Sequence, residues 1–303
     1  MKKAPKIIVV LGPTASGKSD LAVAIAKKFN GEVISADSRQ VYTGLNIGTG
    51  KITKREMQGV PHHLLDVVSP KKQYTPAQWK AAAERAAQNI IARGKVPIIC
   101  GGTGQYIDAL VHNISFPEVP PDKKLRARLE KLSSEKLFAM LKKLEPIRAK
   151  NIDAKNPRRL IRAIEIAAAL GRVPRLEARP PSAYDVLFIG LDMNDEMLRA
   201  RIKARLLARL KQGMSAEAKR LHAQGVSWKR MEALGLEYRY LSHYLRGKIS
   251  KDELVEQLDF AIWHYAKRQR TWFKRNKDIQ WLPADKKELA LKKAEVMVKK
   301  FLG

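Results

Sequence analysis

The stretch Gly12-Pro13-Thr14-Ala15-Ser16-Gly17-Lys18-Ser19 decides the fold of this 303-residue chain. An apolar run at 7–11 precedes it, and a helix-like stretch from Asp20 to Phe29 follows. In this strand–loop–helix context, a G-x-x-x-x-G-K-S loop binds phosphate through backbone N–H groups and the helix N-terminus. Lys18 supplies a charge to the distal phosphate, and the Ser19 hydroxyl can hold Mg²⁺. The stretch therefore predicts a binding site for a di- or triphosphate.

Strand-like and helix-like segments alternate on either side of this loop. Further strands are predicted over 32–36, 62–68, 96–100, 186–191 and 279–282, the second of them short and buried. The alternation predicts an α/β fold, a P-loop NTPase-like core with a parallel sheet covered on both faces. Active residues of such sheets lie at the carboxyl ends of the strands. Because the phosphate loop, Asp37 and Thr103 each follow a predicted strand, we expect them at one edge.

The alternation is interrupted by the proline-rich stretch 116–121. From 122 to 170 the chain is helical in pattern and cationic, and a second linker is predicted over 174–181. We therefore predict a P-loop-type catalytic core of residues 1–114 and 183–303. An all-helical insertion domain of residues 115–182 separates its two parts.

The composition is strongly basic. The chain has 59 Lys and Arg against 30 Asp and Glu, a net charge of +29, of which +20 lies after residue 110. This balance favours a polyanionic partner, usually nucleic acid, over a merely soluble basic surface. The single cysteine, Cys100, excludes an intrachain disulfide and a Cys-based zinc site. No apolar stretch approaches the ~20 residues of a membrane span, so we expect a cytoplasmic protein without membrane contact.

Several polar residues are candidates for chemistry, and each has a structural alternative. Asp37 is a general base or a helix cap, and Thr103 is a phosphate-contacting hydroxyl or a turn residue. Asp66 is a Walker-B-type Mg²⁺ ligand or a structural cap. His62 and His63 point to opposite faces of a strand, which disfavours a metal site.

Two cationic stretches are equally open to two interpretations. Arg201, Arg205 and Arg209 lie on one helix stripe, which suits a diphosphate, an RNA backbone or a solvated face. Residues 265–275 mix cations and aromatic rings, as single-stranded nucleic acid sites do. The same pattern fits an amphipathic helix whose Trp and Phe fill the core.

Seven short motifs, in their order along nearly the whole chain, resemble the tRNA dimethylallyltransferase family. They are the phosphate loop, Asp37-Ser-Arg-Gln-Val-Tyr42, Ile47-Gly-Thr49, His63-Leu-Leu-Asp66, Gly101-Gly-Thr103, Asn156-Pro-Arg-Arg159 and Lys267-Arg-Gln-Arg-Thr-Trp272. The resemblance implies a P-loop-type core whose helical insertion closes on the tRNA anticodon stem-loop. It also implies dimethylallyl diphosphate as donor, Mg²⁺ as cofactor, and N6 of an adenine beside the anticodon as acceptor. The implied tRNAs read codons that begin with U.

The resemblance also assigns roles to residues of this chain. Asp37, the general base, is implied to be catalytic together with Thr103, Arg205 and Lys18. The implied diphosphate ligands are Gly12, Pro13, Thr14, Ala15, Ser16, Gly17, Lys18 and Ser19, and the implied metal ligand is Ser19. The implied tRNA contacts are Asp37, Ser38, Arg39, Gln40, Thr103, Arg126, Arg158, Arg159, Arg162, Arg239, Lys267, Arg268, Gln269, Arg270, Trp272 and Arg275. This chain departs from the family at Gly235-Leu-Glu-Tyr-Arg239, where relatives commonly carry a shorter Gly-Tyr-Arg motif.

Three other functions remain open from the residues themselves. A P-loop kinase would produce ADP and need a clear Walker-B acid. An enzyme that prenylates free adenine nucleotides would have little need for the net charge of +20 that residues 111–303 carry. A non-catalytic RNA-binding protein would not need Lys18, Ser19, Asp37 and Thr103 intact. We expect a monomer, and the sequence leaves open which tRNAs are modified and whether ATP also enters the loop.

Overall fold

A computed structural model describes residues 4–174 and 182–303 of the chain. The second predicted linker, except for Pro174, lies outside the described residues. The chain divides into two compact units, Met1–Asn113 with Pro181–Gly303, and Ile114–Pro180. The insertion predicted at 115–182 corresponds in sequence to the second unit.

Within the described residues, the strands of the first unit form one parallel sheet. The strands are β1 Lys6–Leu11, β2 Gly31–Ser35, β3 His62–His63, β4 Val96–Gly101, β5 Asp185–Asp192 and β6 Gln280–Pro283. Their order across the sheet is β3-β2-β4-β1-β5-β6, and every neighbouring pair is parallel. The central strand β1 is almost wholly buried, as its apolar run predicts. The predicted parallel α/β sheet is therefore confirmed.

The helices of the first unit pack against this sheet or against one another, and the others build the second unit. In the described ranges they are α1 Lys18–Lys28, α2 Lys54–Met57, α3 Pro76–Ala92, α4 Gly104–Val111, α5 Lys123–Leu129, α6 Ser134–Leu144, α7 Pro146–Ala149, α8 Pro157–Leu170, α9 Asp195–Lys211, α10 Met214–Ala223, α11 Trp228–Leu234, α12 Leu236–Leu245, α13 Lys251–Phe273 and α14 Lys287–Leu302. None of them is both long and apolar enough to cross a membrane.

The predicted strand over 62–68 is wrong in length and burial. Only His62 and His63 pair, at the edge of the sheet, and both are half-buried. Leu64 and Asp66 adopt positive φ angles of 62° and 55°, which end the extended conformation. Beyond this kink a single bridge joins Val68 to Tyr42.

Each unit has its own apolar core. In the first, helices pack on both faces of the sheet, and the buried indole of Trp79 donates to the Ser35 carbonyl oxygen at 3.0 Å. In the second, Leu137, Leu141 and Leu160 are buried between α6 and α8. The described part of the second unit therefore has an independent helical core.

Candidate active site

The phosphate loop, residues 12–17, connects β1 to α1 at the carboxyl edge of the sheet. Gly17, the N-cap of α1, has a φ of 89° and provides no side-chain cap. The first N–H groups of the helix are therefore available to an anion. Gly12 must be glycine, because a Cβ there would lie 2.5 Å from the carbonyl oxygen of Leu191. The sequence-predicted loop thus has the geometry of a phosphate cradle.

A cavity of about 420 Å³ opens beside this loop. Its walls carry the cations Lys18, Arg201, Arg205 and Lys287, together with the carboxylates of Asp20 and Glu56. The Lys18 ammonium donates to the Pro13 carbonyl oxygen at 3.2 Å, which folds it back over the loop. Burial lowers the pKa of Lys18; the neighbouring Cys100 and Asp37 oppose this shift, and Arg205 adds to it.

Arg205 is a second cation of this cavity whose pKa is lowered. Its side chain is exposed to the solvent of the cavity, and the protein atoms around it lower the pKa of its guanidinium by desolvation. The positive charge of Arg209 lowers that pKa further, and Glu237 opposes it. Among the described residues, none forms a hydrogen bond or ion pair with the Arg205 guanidinium. Cations in this condition favour an anionic ligand.

The three arginines of the predicted helix stripe lie in different environments. Arg201 and Arg205 face the cavity, whereas Arg209 donates to the Gly48 carbonyl oxygen at 2.7 Å and to the Glu237 carboxylate at 3.1 Å. Arg209 therefore has structural partners. Arg201 also donates to the Ala284 carbonyl oxygen, at 3.4 Å, so Arg205 is the arginine of this stripe that has no partner among the described residues.

Glu217 is a buried residue that sequence reasoning missed. Its carboxylate accepts the backbone N–H groups of residues 46–48 at 2.8–3.0 Å and the Tyr238 hydroxyl at 2.7 Å. These bonds fix the loop that carries Gly50, where a Cβ would lie 2.6 Å from the Arg205 guanidinium. Glu217 lies in an ordinary helical pattern, so no sequence signal marks it.

A second cluster of polar side chains follows the carboxyl ends of β2 and β4. One Asp37 carboxylate oxygen, Oδ1, accepts the N–H groups of Arg39 and Gln40 at 2.8 and 3.3 Å. The other, Oδ2, receives no hydrogen bond from the described residues. Asp37 thus caps a turn, not a helix, with one oxygen, and its other oxygen is left for a ligand; its role as general base stays a prediction.

Thr103 holds this turn in place. Its hydroxyl oxygen accepts the Ser38 N–H at 3.0 Å, and its own N–H donates to the Ala36 carbonyl oxygen at 3.1 Å. A Cβ on Gly101 would lie 2.2 Å from the same Ala36 oxygen, so the close approach of the two strand ends requires glycine. The structure therefore brings Asp37 and Thr103 together, as predicted.

The cationic and aromatic segment 267–275 has two faces. Lys267, Arg268, Lys274 and Arg275 are exposed. The opposite face is directed inward, where Phe273 is buried and the Trp272 indole donates to Asp108 at 3.0 Å. Trp272 and Phe273 therefore pack inward, as the amphipathic-helix interpretation predicts, whereas contact of the exposed cations with nucleic acid stays a prediction.

Gln269 and Arg270, both predicted tRNA contacts, bond within the unit. The Gln269 amide links the phosphate loop to Gly102. Arg270 donates to Asp192, Asp195 and the Met193 carbonyl oxygen at the end of β5. Arg239 lies on α12 and donates to the Glu232 carbonyl oxygen at 3.3 Å.

The cations of the second unit also fall into two groups. Arg126 forms a two-pronged pair with buried Glu165 at 2.6 and 2.7 Å, and Arg162 approaches the same carboxylate at 3.4 Å. Arg158 and Arg159 are exposed in the first turn of α8, where the helix dipole disfavours positive charge. The exposed pair is therefore better placed than Arg126 for an external anion.

The remaining candidates have structural partners. Asp66 pairs with Lys51, which also donates to the Tyr42 carbonyl oxygen, so the Walker-B interpretation gains no support. His63 bonds to Glu32 at 2.8 Å and His62 to the Val60 carbonyl oxygen. In the described part of the chain, no group of three His, Cys, Asp or Glu side chains could hold a metal ion.

The cavity wall does fit a magnesium ion bound to a phosphate ligand. Mg²⁺ usually takes one or two protein oxygens and completes its shell with water and phosphate. Ser19 offers a hydroxyl, and Asp20 and Glu56 offer carboxylates in the same wall. The donor set is therefore suitable.

Comparisons with known proteins agree on one family. A family model described as IPP transferase matches residues 40–276. The tRNA dimethylallyltransferase of Anoxybacillus flavithermus is 40% identical over 280 residues, which cover 91% of this chain and 89% of that protein.

Solved structures point the same way. The tRNA delta(2)-isopentenylpyrophosphate transferase of Staphylococcus epidermidis is 37% identical, with a TM-score of 0.73 over 98% of this chain and 99% of that one. A eukaryotic dimethylallyltransferase acting on tRNA is 28% identical, with a TM-score of 0.80 over 92% of this chain and 74% of that one.

Proposed function

We propose that this chain, which belongs to the tRNA dimethylallyltransferase family, transfers a dimethylallyl group from dimethylallyl diphosphate to N6 of an adenine in tRNA. The acceptor is the adenine beside the anticodon of tRNAs that read codons beginning with U. The products are N6-dimethylallyladenosine and diphosphate.

The observation that carries this proposal is the pair of cations at the phosphate cavity. Lys18 and Arg205 both line the cavity beside the phosphate loop, the Arg205 guanidinium has no bonding partner among the described residues, and a diphosphate would supply the missing negative charge. Negative charge develops on the diphosphate as its bond to the allylic carbon breaks. Fixed cations and helix N–H groups stabilise such charge without reorganisation during the reaction.

The acceptor end of the reaction is assigned to Asp37 and Thr103. The N6 nitrogen forms a bond to the allylic carbon while the carbon–oxygen bond breaks and its electron pair leaves with diphosphate. Asp37 takes the N6 proton on Oδ2, the oxygen that no described residue occupies. Thr103 holds the Asp37 turn through Ser38, so positioning accounts for much of the rate.

Mg²⁺ belongs to this proposal as a cofactor. When bound, it would neutralise charge on the leaving diphosphate. Ser19 would hold it, with Asp20 or Glu56 available through water in the same wall.

The proposed tRNA contacts are the exposed cations. Arg158 and Arg159 in the second unit, and Lys267 and Arg268 on α13, are exposed and free to meet phosphates. Their excess positive charge favours a macromolecular acceptor over a free adenine nucleotide. We further propose that the protein acts as a monomer, since the proposed catalytic groups all come from one chain, and that it acts in the cytoplasm, where bacterial tRNA is modified.

Mass spectrometry of tRNA incubated with the protein, Mg²⁺ and dimethylallyl diphosphate tests the function. We expect one five-carbon unit to be added to an adenosine. Asp37→Asn keeps the Oδ1 cap but removes the base, so turnover should fall by about 10²–10⁴-fold while tRNA affinity is retained. Conversion of ATP to ADP without any mass gain would instead indicate a kinase.

A further inference from the structure

Gln269 connects two loops of the proposed site. It lies on α13, and only 6% of its surface is exposed. Its side-chain oxygen accepts the Thr14 N–H at 2.8 Å, and its side-chain nitrogen donates to the Gly102 carbonyl oxygen at 2.9 Å. Both ends of the amide are therefore engaged with backbone groups, one in the phosphate loop and one beside Thr103.

These bonds continue to the proposed base. Gly102 precedes Thr103, whose hydroxyl accepts the Ser38 N–H, and Ser38 follows Asp37 in the same turn. A short series of hydrogen bonds thus runs from the donor loop to the acceptor turn. The two loops come from different strands, β1 and β4, and Gln269 bonds to both.

The fit of the amide is close. A Cβ on Gly102 would lie 2.1 Å from the Gln269 amide nitrogen, so the glycine makes room for this side chain. A planar amide offers one acceptor and two donors, which matches one N–H on one side and one carbonyl on the other. An apolar side chain of similar length would leave both backbone groups without this partner.

We propose that Gln269 is a positioning residue that fixes the phosphate loop relative to the Gly101–Thr103 turn and so couples donor binding to acceptor alignment. This inference rests on the proposed transfer reaction. It replaces the direct tRNA contact that the sequence resemblance implies for Gln269. Displacement of reacting groups by about 1 Å can cost about 10²-fold in rate, so the effect should appear in kcat.

The test is the Gln269→Met variant, assayed for kcat, for KM of dimethylallyl diphosphate, and for the Kd of tRNA. We expect kcat to fall by about 10–100-fold and the donor KM to rise, because the loop that holds the donor shifts. The Kd of tRNA should stay within about twofold. Gln257→Met, the same substitution about three turns earlier on α13, is the matched control and should change none of the three values.

Three results would overturn the inference. A weaker tRNA Kd with unchanged kcat would restore the RNA-contact role. A lower melting temperature with kinetic constants of the wild type would leave only a packing role. Wild-type values in every assay would leave Gln269 with neither a positioning role nor an RNA-contact role. If the wild-type protein itself transfers no prenyl group, the proposed function fails instead, so the two failures are distinguishable.

Two further variants keep the test decisive. Should Gln269→Met fold poorly, Gln269→Asn retains the amide but is one methylene too short to span both loops, and it should show the same loss of kcat. A double-mutant cycle with Thr103→Ala should be non-additive in kcat, because Gln269 acts through the turn that carries Thr103. Additive effects would contradict the coupling.

Discussion

Two charged clusters in the first unit differ in how well their positive and negative charges are matched. At the sheet edge, the carboxylate of Glu32 is 2% exposed and surrounded by Arg93, Lys95 and His63. Bonds to Arg93 above all, and to Lys95 and His63, hold the pKa of Glu32 well below its usual range. At the phosphate cavity, Lys18 and Arg205 have pKa values lowered by burial, with too few anions nearby to compensate.

The difference separates a structural site from a ligand site. Around Glu32 the charges are matched, so the cluster stabilises the fold without any ligand. Around the cavity they are unmatched, because four cations share its wall with two carboxylates, and a diphosphate would supply the missing negative charge.

Removing a cavity cation should damage activity without destabilising the fold. In Arg205→Met, loss of one charge-stabilising group should lower the transfer rate by about 10²–10³-fold. The melting temperature should stay close to that of the wild type, because the Arg205 side chain is exposed and no described residue bonds to its guanidinium. Enzyme kinetics and thermal unfolding measure the two effects. A large fall in melting temperature would show that Arg205 is structurally paired after all.

Removing the matched carboxylate should have the opposite result. Glu32→Gln leaves the charges of Arg93 and Lys95 without the carboxylate that pairs with them, and we expect a loss of about 2–3 kcal/mol in the free energy of unfolding. The loss is moderated because Arg93 and Lys95 are partly exposed. Chemical denaturation gives this value. Arg93→Met should cost less, since Lys95 and His63 remain with Glu32, and kcat should be unaffected in both variants.

The pH dependence follows from the direction of the Glu32 shift. A carboxyl group whose pKa is lower in the folded state stabilises the fold fully above its unfolded pKa, near 4.5. The stability difference between the wild type and Glu32→Gln should therefore be constant above that pH and shrink as the pH falls below it. Denaturation curves from pH 3 to pH 7 test this, with Arg205→Met as a variant that should show no such convergence. A difference that persists unchanged at pH 3 would contradict the assignment.

The smallest expected effects are in the second unit, where Arg158 is exposed and Arg126 is paired with a carboxylate. Each phosphate contact contributes close to one unit to the salt dependence of binding, so Arg158→Ala should reduce the log–log salt slope of tRNA affinity by about 1. Arg126→Met should leave the slope unchanged and lower stability, because its guanidinium is held by Glu165. Filter binding across salt concentrations measures both. A reduced slope for Arg126→Met would return that residue to the predicted tRNA contacts.

Much of the site was predictable because it follows from chain order. A phosphate loop must follow β1, and in a parallel sheet the residues after β2 and β4 lie at the same edge. Asp37 and Thr103 were found on that ground. The strand after His62 was overestimated, since positive φ at Leu64 and Asp66 leaves no trace in an apolar pattern.

The sequence by itself determined the phosphate loop, the parallel α/β core and the carboxyl-end positions of Asp37 and Thr103, because these depend on local spacing and strand direction. Only the tertiary structure decided that Arg205 faces the cavity while Arg209 is paired, and that both ends of the Gln269 amide bond to backbone groups. Periodicity tells which side chains share a helix face. It does not identify the partner on the opposing element, and for Gln269 that partner lies 255 residues away in the chain.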